Sequence, residues 1–486
     1  MAKAEIAGSA PKIKRGYLIS EIRINKLFGR YSYRISPVQH EVALKGGPAL
    51  MLFYGDNGSG KTTIMRLLWD LFSPSEKSGH RTRIARTPFR SMEVLLGAGH
   101  LIRITRTDEE ELTGDYSIEV FNAKNEPLVR QPYTLDPEGR INPIGGGDPD
   151  PHNERMRERL ETLPASARKI IEDRYSDKLL DSFTTSFFND RTDYFAAYLH
   201  KIGTVPYLLA DDRQMYADEP EGTEPRINRK REQPTPAASS VALELSSAIK
   251  RTNDWLRQQL FSGAQAGSQS AEHIYREVLT HLASAGAGDS SETSFEGVRE
   301  SIIELQTRTV RFAEFGLVPP ISARQLTSLM DAVPATRKDL AASIIAPYVE
   351  GQNARLDSLQ ETEQLVRVFV SNINTFLADK KVTYSPARGL RIQTIERRPT
   401  TLSPGQLSSG ERQLMLLFCN AFLARETTGL FLIDEPELSL NVKWQRRLVE
   451  ALLELVHGSN VQFILATHSI EIVTRHRPYL AEVRED

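Results

Sequence analysis

Eight consecutive residues, Gly55-Asp56-Asn57-Gly58-Ser59-Gly60-Lys61-Thr62, fit the pattern G-x-x-x-x-G-K-[ST] and run on into Thr63. Glycines at this spacing let successive backbone N–H groups turn inward around phosphate oxygens, and a helix opening at the lysine presents its positive end to the same charge. The chemistry is nucleoside triphosphate binding. Lys61 would reach the β- and γ-phosphates, and the Thr62 hydroxyl would ligate Mg2+. Gly55, Asn57, Gly58, Ser59, Gly60, Lys61, Thr62 and Thr63 are therefore the candidate nucleotide-binding residues.

A second cluster lies near the other end of the chain. Residues 430–435, LFLIDE, read as a buried strand that delivers Asp434 and Glu435 to its C-terminal end, where ligands collect in open α/β sheets. Asp434 would hold the Mg2+ shell, and Glu435 would take a proton from an attacking water. A further strand, VQFILA (461–466), leads to His468, 33 residues after Glu435; that histidine is placed to donate to a γ-phosphate oxygen. Residues Leu407-Ser408-Ser409-Gly410-Glu411 precede an apolar helix, RQLMLLFCNAFL. Ser and Gly at a helix start expose backbone N–H groups and a hydroxyl suited to phosphate, although alone they are an ordinary N-cap. Gln214, four residues after the VPYLLA run, is a weaker candidate for sensing the metal and the attacking water.

These residues need a scaffold, and 486 residues with 40% apolar and 26% charged side chains can bury more than one core. With 61 basic against 63 acidic residues the formal charge is -2, without the basic excess of many nucleic-acid binders. The single cysteine, Cys419, excludes an internal disulfide. With no leader pattern and no apolar run near the ~20 residues of a bilayer span, the sequence predicts a cytoplasmic protein without a membrane partner.

Strand text occupies 18–35 as a pair broken at Gly29, 49–54 as a buried run before the Gly-rich loop, and 91–129 as a meander. Ile64, Leu67, Leu68, Leu71 and Phe72 recur at helical spacing up to Ser73-Pro74. Residues 130–152 read as a loop. Leu359, Val366 and Ile373, with Phe369 and Phe376 beside them, mark an interhelical seam of either a short coiled coil or an ordinary bundle. The fold class is α/β. The expected organisation is a flexible tail (1–16), an N-terminal lobe (17–152), a first helical insertion (153–204), and a returning strand with the Gln214 loop (205–214). A flexible linker (215–239), a second helical insertion (240–380) and a C-terminal lobe (381–486) follow.

The order of the Gly-rich loop, the Ser408–Glu411 segment, Asp434-Glu435 and His468 resembles the ABC ATPase superfamily, with Ser409 and Glu411 departing from LSGGQ as in its SMC and RecF branch. The resemblance implies an ABC-type ATPase head, a P-loop mixed sheet plus an antiparallel β subdomain, with a large helical insertion. It also implies that Ser408, Ser409, Gly410 and Glu411 close the nucleotide of a second copy in a head-to-tail dimer. The text DEPELSLNVKWQ (434–445) is similar to the DEPExxLHPxWQ of OLD-family and anti-phage ATPases, with Asn441 and Val442 in place of His and Pro. The chain ends 18 residues after His468, which leaves no room for the Toprim nuclease that OLD-family proteins carry. Any nuclease is expected in trans, as in PARIS-type systems.

That resemblance implies a slow, regulatory ATPase that uses ATP and Mg2+ and assembles into dimers or hexamers. It would restrain a separate Toprim nuclease until a phage-encoded trigger protein arrives. Septu-type ATPases, with an HNH nuclease partner, are the neighbouring alternative. A RecF-like DNA-repair ATPase would need a basic face, for which Arg81, Arg83, Arg86 and Arg90, and Arg226, Arg229, Lys230 and Arg231, are the candidates. A transporter-energising subunit is disfavoured by the more than 340 residues between the Gly-rich loop and Ser408.

Overall fold

The computed structural model describes residues 18–37, 49–56, 58–75, 78–144, 193–210, 215–217, 241–261, 294–426, 428–438 and 440–485. The chain divides into two compact units, Met1–Pro234 with Ala424–Asp486, and Thr235–Leu423. The division after Leu423 puts the Ser408–Glu411 segment in the second unit, whereas the sequence grouped 381–486 as one lobe.

In the first unit the chain forms β1 (Ile19–Leu27), β2 (Tyr31–Pro37), β3 (Ala49–Tyr54), β4 (Ser91–Leu96), β5 (Leu101–Arg106), β6 (Tyr116–Phe121), β7 (Pro127–Leu135), β8 (Ile141–Pro143), β9 (Thr204–Leu209) and β10 (Met215–Ala217). The second unit holds β11 (Lys380–Ser385), β12 (Gly389–Thr394) and β13 (Thr401–Leu402), and β14 (Thr428–Asp434), β15 (Gln462–Thr467) and β16 (Ala481–Glu485) return to the first. One sheet has the order β16-β2-β1-β4-β5-β6-β7-β8 with antiparallel neighbours throughout; the other has the order β10-β9-β14-β15-β3. In the latter β9, β14, β15 and β3 run parallel and only β10 is antiparallel. The fold is thus the mixed α/β arrangement expected, with an antiparallel sheet beside a P-loop sheet and a helical insertion.

Burial explains the two kinds of strand. In β4, β5 and β6 buried residues alternate with half-buried ones, as in a sheet packed on one face. β3 and β15 are buried along nearly their whole length, as parallel strands covered on both faces are. The helix Lys61–Phe72 contributes Ile64, Leu68 and Leu71 to a core shared with Ile22 and Val94 of the antiparallel sheet and Leu432 of the parallel one.

One expectation fails. Residues 130–152 are no simple loop: β7 and β8 extend the antiparallel sheet through 143. Pro132 fits this strand because its carbonyl accepts from Ile144 N (3.0 Å) on the β8 side, so its missing N–H removes no bond to β6. The linker at 215–239 opens with β10, paired to β9; its remainder, like most of 153–204, lies outside the described residues.

In the second unit residues 241–261, Phe295–Glu314, Ala323–Asp331, Lys338–Phe376 and Ser409–Leu423 are helical. The apolar seam of the 39-residue helix Lys338–Phe376 packs on the helix Ser409–Leu423, with ring centroids 5.1 Å apart for Phe369–Phe422 and 5.7 Å for Phe376–Phe418. Glu363, 1% exposed, pairs with Arg311 (3.2 Å) and Arg367 (2.6 Å).

Of the arginines proposed as a DNA-binding face, Arg81 is turned into the fold, Arg90 is half-buried, and Arg83 and Arg86 stay exposed. Arg81 is buried; its guanidinium donates to Asp70 O (2.8 Å), Leu71 O (3.2 Å) and Ser73 O (3.2 Å) and faces Asp193 (3.7 Å). It thereby satisfies the carbonyls left open at the C-terminal end of the P-loop helix. Arg83 bonds Asp70 (2.8 Å), Arg86 bonds Gly139 O (2.9 Å), and Arg90 reaches Asp108 O (3.3 Å). The basic residues at 226–231 lie outside the described residues. Arg81→Ala leaves Asp193 and three carbonyls without this partner, so chemical denaturation should show a loss of about 3–5 kcal/mol. A loss below about 1 kcal/mol would contradict the capping role.

Candidate nucleotide site

Three strand ends make the site. In the parallel register Asp434 of β14 lies opposite Ala466 of β15, which lies opposite Phe53 of β3. The residues that follow each strand, Glu435, His468 and Gly55, consequently leave the sheet at one edge, the C-terminal edge on which open α/β sheets bind ligands.

The Gly-rich loop depends on left-handed backbone. Gly58 and Gly60 have φ of 82° and 83°. A Cβ on Gly60 would stand 2.8 Å from Leu27 Cδ2, so both its conformation and its close approach to β1 demand glycine. Lys61 begins the helix and folds back over the loop, where Nζ donates to Gly55 O (2.9 Å), Asp56 O (2.8 Å) and Ser59 Oγ (3.4 Å). Burial lowers the Lys61 pKa below the ordinary lysine value, although the negative charges of Asp434, Glu435, Asp56 and Glu437 pull it upward. Those same charges place the lysine within electrostatic reach of the carboxylate pair. Thr62 and Thr63 are half-buried in the first turn of the helix. Asn57 lies outside the described residues, as does Gln214.

Asp434 is buried at the end of β14. Glu435 adopts φ 49°, a conformation that costs a non-glycine residue about 1–3 kcal/mol. Its N–H donates to Ala466 O (2.8 Å), which ties the end of β14 to β15. His468 Nε2 stands 4.0 Å from Glu435 Oε1, and both side chains are about one-third exposed, at 30% and 31%. An exposed carboxylate beside an exposed imidazole at a strand edge can exchange protons with water and with a ligand.

An all-oxygen set of one buried carboxylate and one threonine hydroxyl suits a hard cation such as Mg2+, which keeps waters and phosphate oxygens in its shell. Among the described residues no group of three or more His, Cys, Asp or Glu is arranged to hold a metal. Mg2+ fits here as an ion that arrives with phosphate, held by Thr62 and Asp434.

The Ser408–Glu411 segment belongs to the second unit and forms a reciprocal cap. Ser408 Oγ accepts from Glu411 N (3.3 Å), and Glu411 Oε2 accepts from Ser408 N (2.8 Å). Lys380 Nζ bonds the other oxygen of Glu411 at 3.0 Å. Burial would raise the Glu411 pKa, but the bonds from Ser408 and Lys380 hold it below the ordinary carboxylate value. Glu411 is thus spent on the shape of its own loop, while Ser409 is exposed at the helix tip and Gly410 is buried in the first turn.

Two residues were missed in the sequence. Phe28, 48% exposed in the β1–β2 turn, has Cε2 3.7 Å from the place of a Gly60 Cβ; nothing in KLFGR separated it from its buried neighbour Leu27. Glu437 accepts from Thr467 Oγ1 (2.9 Å), His468 N (2.6 Å) and Ser469 N (3.0 Å). Its signal was a third carboxylate two residues after Glu435.

Comparison with known proteins follows this geometry. The chain is 30% identical over 154 residues to the retron Vc95 probable ATPase of Vibrio cholerae, covering 28% of this chain and 29% of that one. It is 27% identical over 178 residues to the retron Ec83 probable ATPase of Escherichia coli, covering 30% and 32%. The matches therefore span about three-tenths of each retron protein's length. A lipoprotein-releasing system ATP-binding protein, LolD of Jannaschia, is 26% identical over 187 residues, 35% of this chain and 80% of LolD. The profile described as "AAA domain, putative AbiEii toxin, Type IV TA system" matches residues 50–474, from the strand before the Gly-rich loop to the helix after His468. By that match, which takes in most of its length, the chain belongs to this AAA-domain family.

Proposed function

We propose that the chain is a regulatory ATPase whose bound triphosphate joins two copies head to tail. The observation that carries the reading is the convergence of Lys61, Asp434, Glu435 and His468 on one sheet edge, with Lys61 already under the influence of both carboxylates. In this reading the Gly55–Thr63 backbone and Lys61 hold the phosphates, and Phe28 offers an apolar ring to the base. Thr62 and Asp434 would hold Mg2+, which would supply positive charge against the phosphates. Glu435 takes a proton from the water that attacks the γ-phosphorus as the β–γ bridging P–O bond breaks. His468 steadies the charge on the γ-phosphate oxygens. Ser408, Ser409 and Gly410 of a second copy close the site, positioned by the Glu411–Lys380 cap.

The retron relatives' description as probable ATPases and the LolD likeness support the hydrolase. The defence setting, with a separate Toprim nuclease restrained by the ATP-bound assembly and released by a phage protein, rests on the likeness of residues 434–445 to OLD-family and anti-phage ATPases and on the PARIS-type arrangement in which the nuclease is a separate chain. An HNH partner of the Septu kind is the variant of the same reading. A DNA-repair role would have to use Arg83 and Arg86, which stay exposed, since Arg81 is buried in the fold.

ATP at about 100 times its Kd should stabilise the parent chain by about 2.7 kcal/mol, and Lys61→Ala should abolish that thermal shift; an equal shift in the variant would refute the P-loop assignment. Glu435→Gln should still bind ATP but hydrolyse it about 10²–10⁴-fold more slowly and accumulate as an ATP-dependent dimer in sedimentation. Turnover at the parent's rate would remove Glu435 from the chemistry.

A further inference from the structure

We infer that Glu437 is the positioning residue of His468, an assignment that rests on the ATPase reading and deepens it. Oε1 of Glu437 accepts from the backbone N–H groups of His468 and Ser469, at 2.6 and 3.0 Å, and Oε2 accepts from Thr467 Oγ1 at 2.9 Å. Thr467 Oγ1 in turn accepts from Ser469 N at 3.0 Å. Three donors on one carboxylate make charge-assisted bonds, about twice as strong as neutral ones. They fix the backbone on both sides of His468 without touching its ring, so the imidazole keeps its approach to Glu435. The loop carrying Glu437 is itself held. Gln445 Nε2 donates to Leu440 O (2.9 Å), and Gln445 Oε1 accepts from Ser469 Oγ (2.9 Å). A closed ring of hydrogen bonds therefore runs from the segment after Glu435 through the helix Val442–Leu455 to the His468 loop.

A carboxylate is the group this geometry selects. It brings acceptors only, and all three contacts arrive as donors. An amide could satisfy the two N–H groups with its oxygen but would turn an NH2 toward Thr467 Oγ1, which already accepts from Ser469. Glu437→Gln should therefore be intermediate, and Glu437→Ala should free the loop.

The test joins hydrogen exchange with kinetics. In the parent chain the His468 and Ser469 amides should be protected; Glu437→Ala should speed their exchange at least 10-fold, with Glu437→Gln between. In turnover assays Glu437→Ala should lower kcat about 10–100-fold, the range of supporting groups behind a functional side chain, with KM for ATP within about 3-fold of the parent. Glu437→Ala added to His468→Ala should cost no further kcat, because the two act through one group. Unchanged amide exchange, or a full additional loss in the His468→Ala background, would overturn the assignment. A parent chain without ATP turnover would refute the ATPase reading instead, and the exchange result would still decide what Glu437 holds.

Discussion

The register of three parallel strands is the constraint on which the site depends. β14 pairs with β15 and β15 with β3 so that Asp434, Ala466 and Phe53 fall in one row. Glu435, His468 and Gly55 follow from that row by one or two residues of chain, and Lys61 and Thr62 open the helix to which the Gly-rich loop leads. A slip of one residue would turn the side chains of a strand to the opposite face and carry Asp434 away from Lys61. Burial of β3 and β15 on both faces protects the register, because neither face tolerates a polar residue brought in by a shift. The bond from Glu435 N to Ala466 O adds a lock just beyond the ladder, and the left-handed φ of Glu435 is the strain accepted for it.

In both units the supporting contacts share one logic: open backbone groups at element ends are met by ionised side chains. Arg81 meets the last carbonyls of the P-loop helix, Glu411 meets the N–H of Ser408 just before the helix Ser409–Leu423, and Glu437 meets the N–H groups after β15. Each places charge where a helix or strand end would otherwise fray, and Glu411 and Glu437 each lie one step behind a residue proposed to meet nucleotide. Rigidity is thus concentrated at the ends of elements, where the ligand would be gripped.

Much of this was legible in the sequence, for definite reasons. Alternation in 91–121 and unbroken apolar runs at 49–54 and 430–433 reflect one-sided and two-sided burial, so strands and their surroundings could be read together. The Gly-rich loop was legible because its glycines answer to backbone geometry that no other residue meets cheaply. The part of β7 beyond 129 and β8 were not, because a strand holding Pro132 is recognised only once its place between its neighbours is known. The roles of Arg81 and Glu437 were also hidden: each meets backbone groups that only the fold brings within reach, and their types alone suggest solvated charges. Ser408 and Glu411 were visible as a helix start, but the Lys380 contact spans 31 residues and needed the fold.

In this account the triphosphate is shared between copies, held by the Gly-rich loop of one and closed by the Ser408 segment of the other. Mixing two inactive variants tests that most directly: Lys61→Ala copies keep the closing segment, and Ser408→Arg copies keep the loop. If the site is shared, mixed pairs contain one complete site, and ATP hydrolysis should reappear in the mixture though neither variant hydrolyses alone. A mixture as inactive as its components at every ratio would contradict the account.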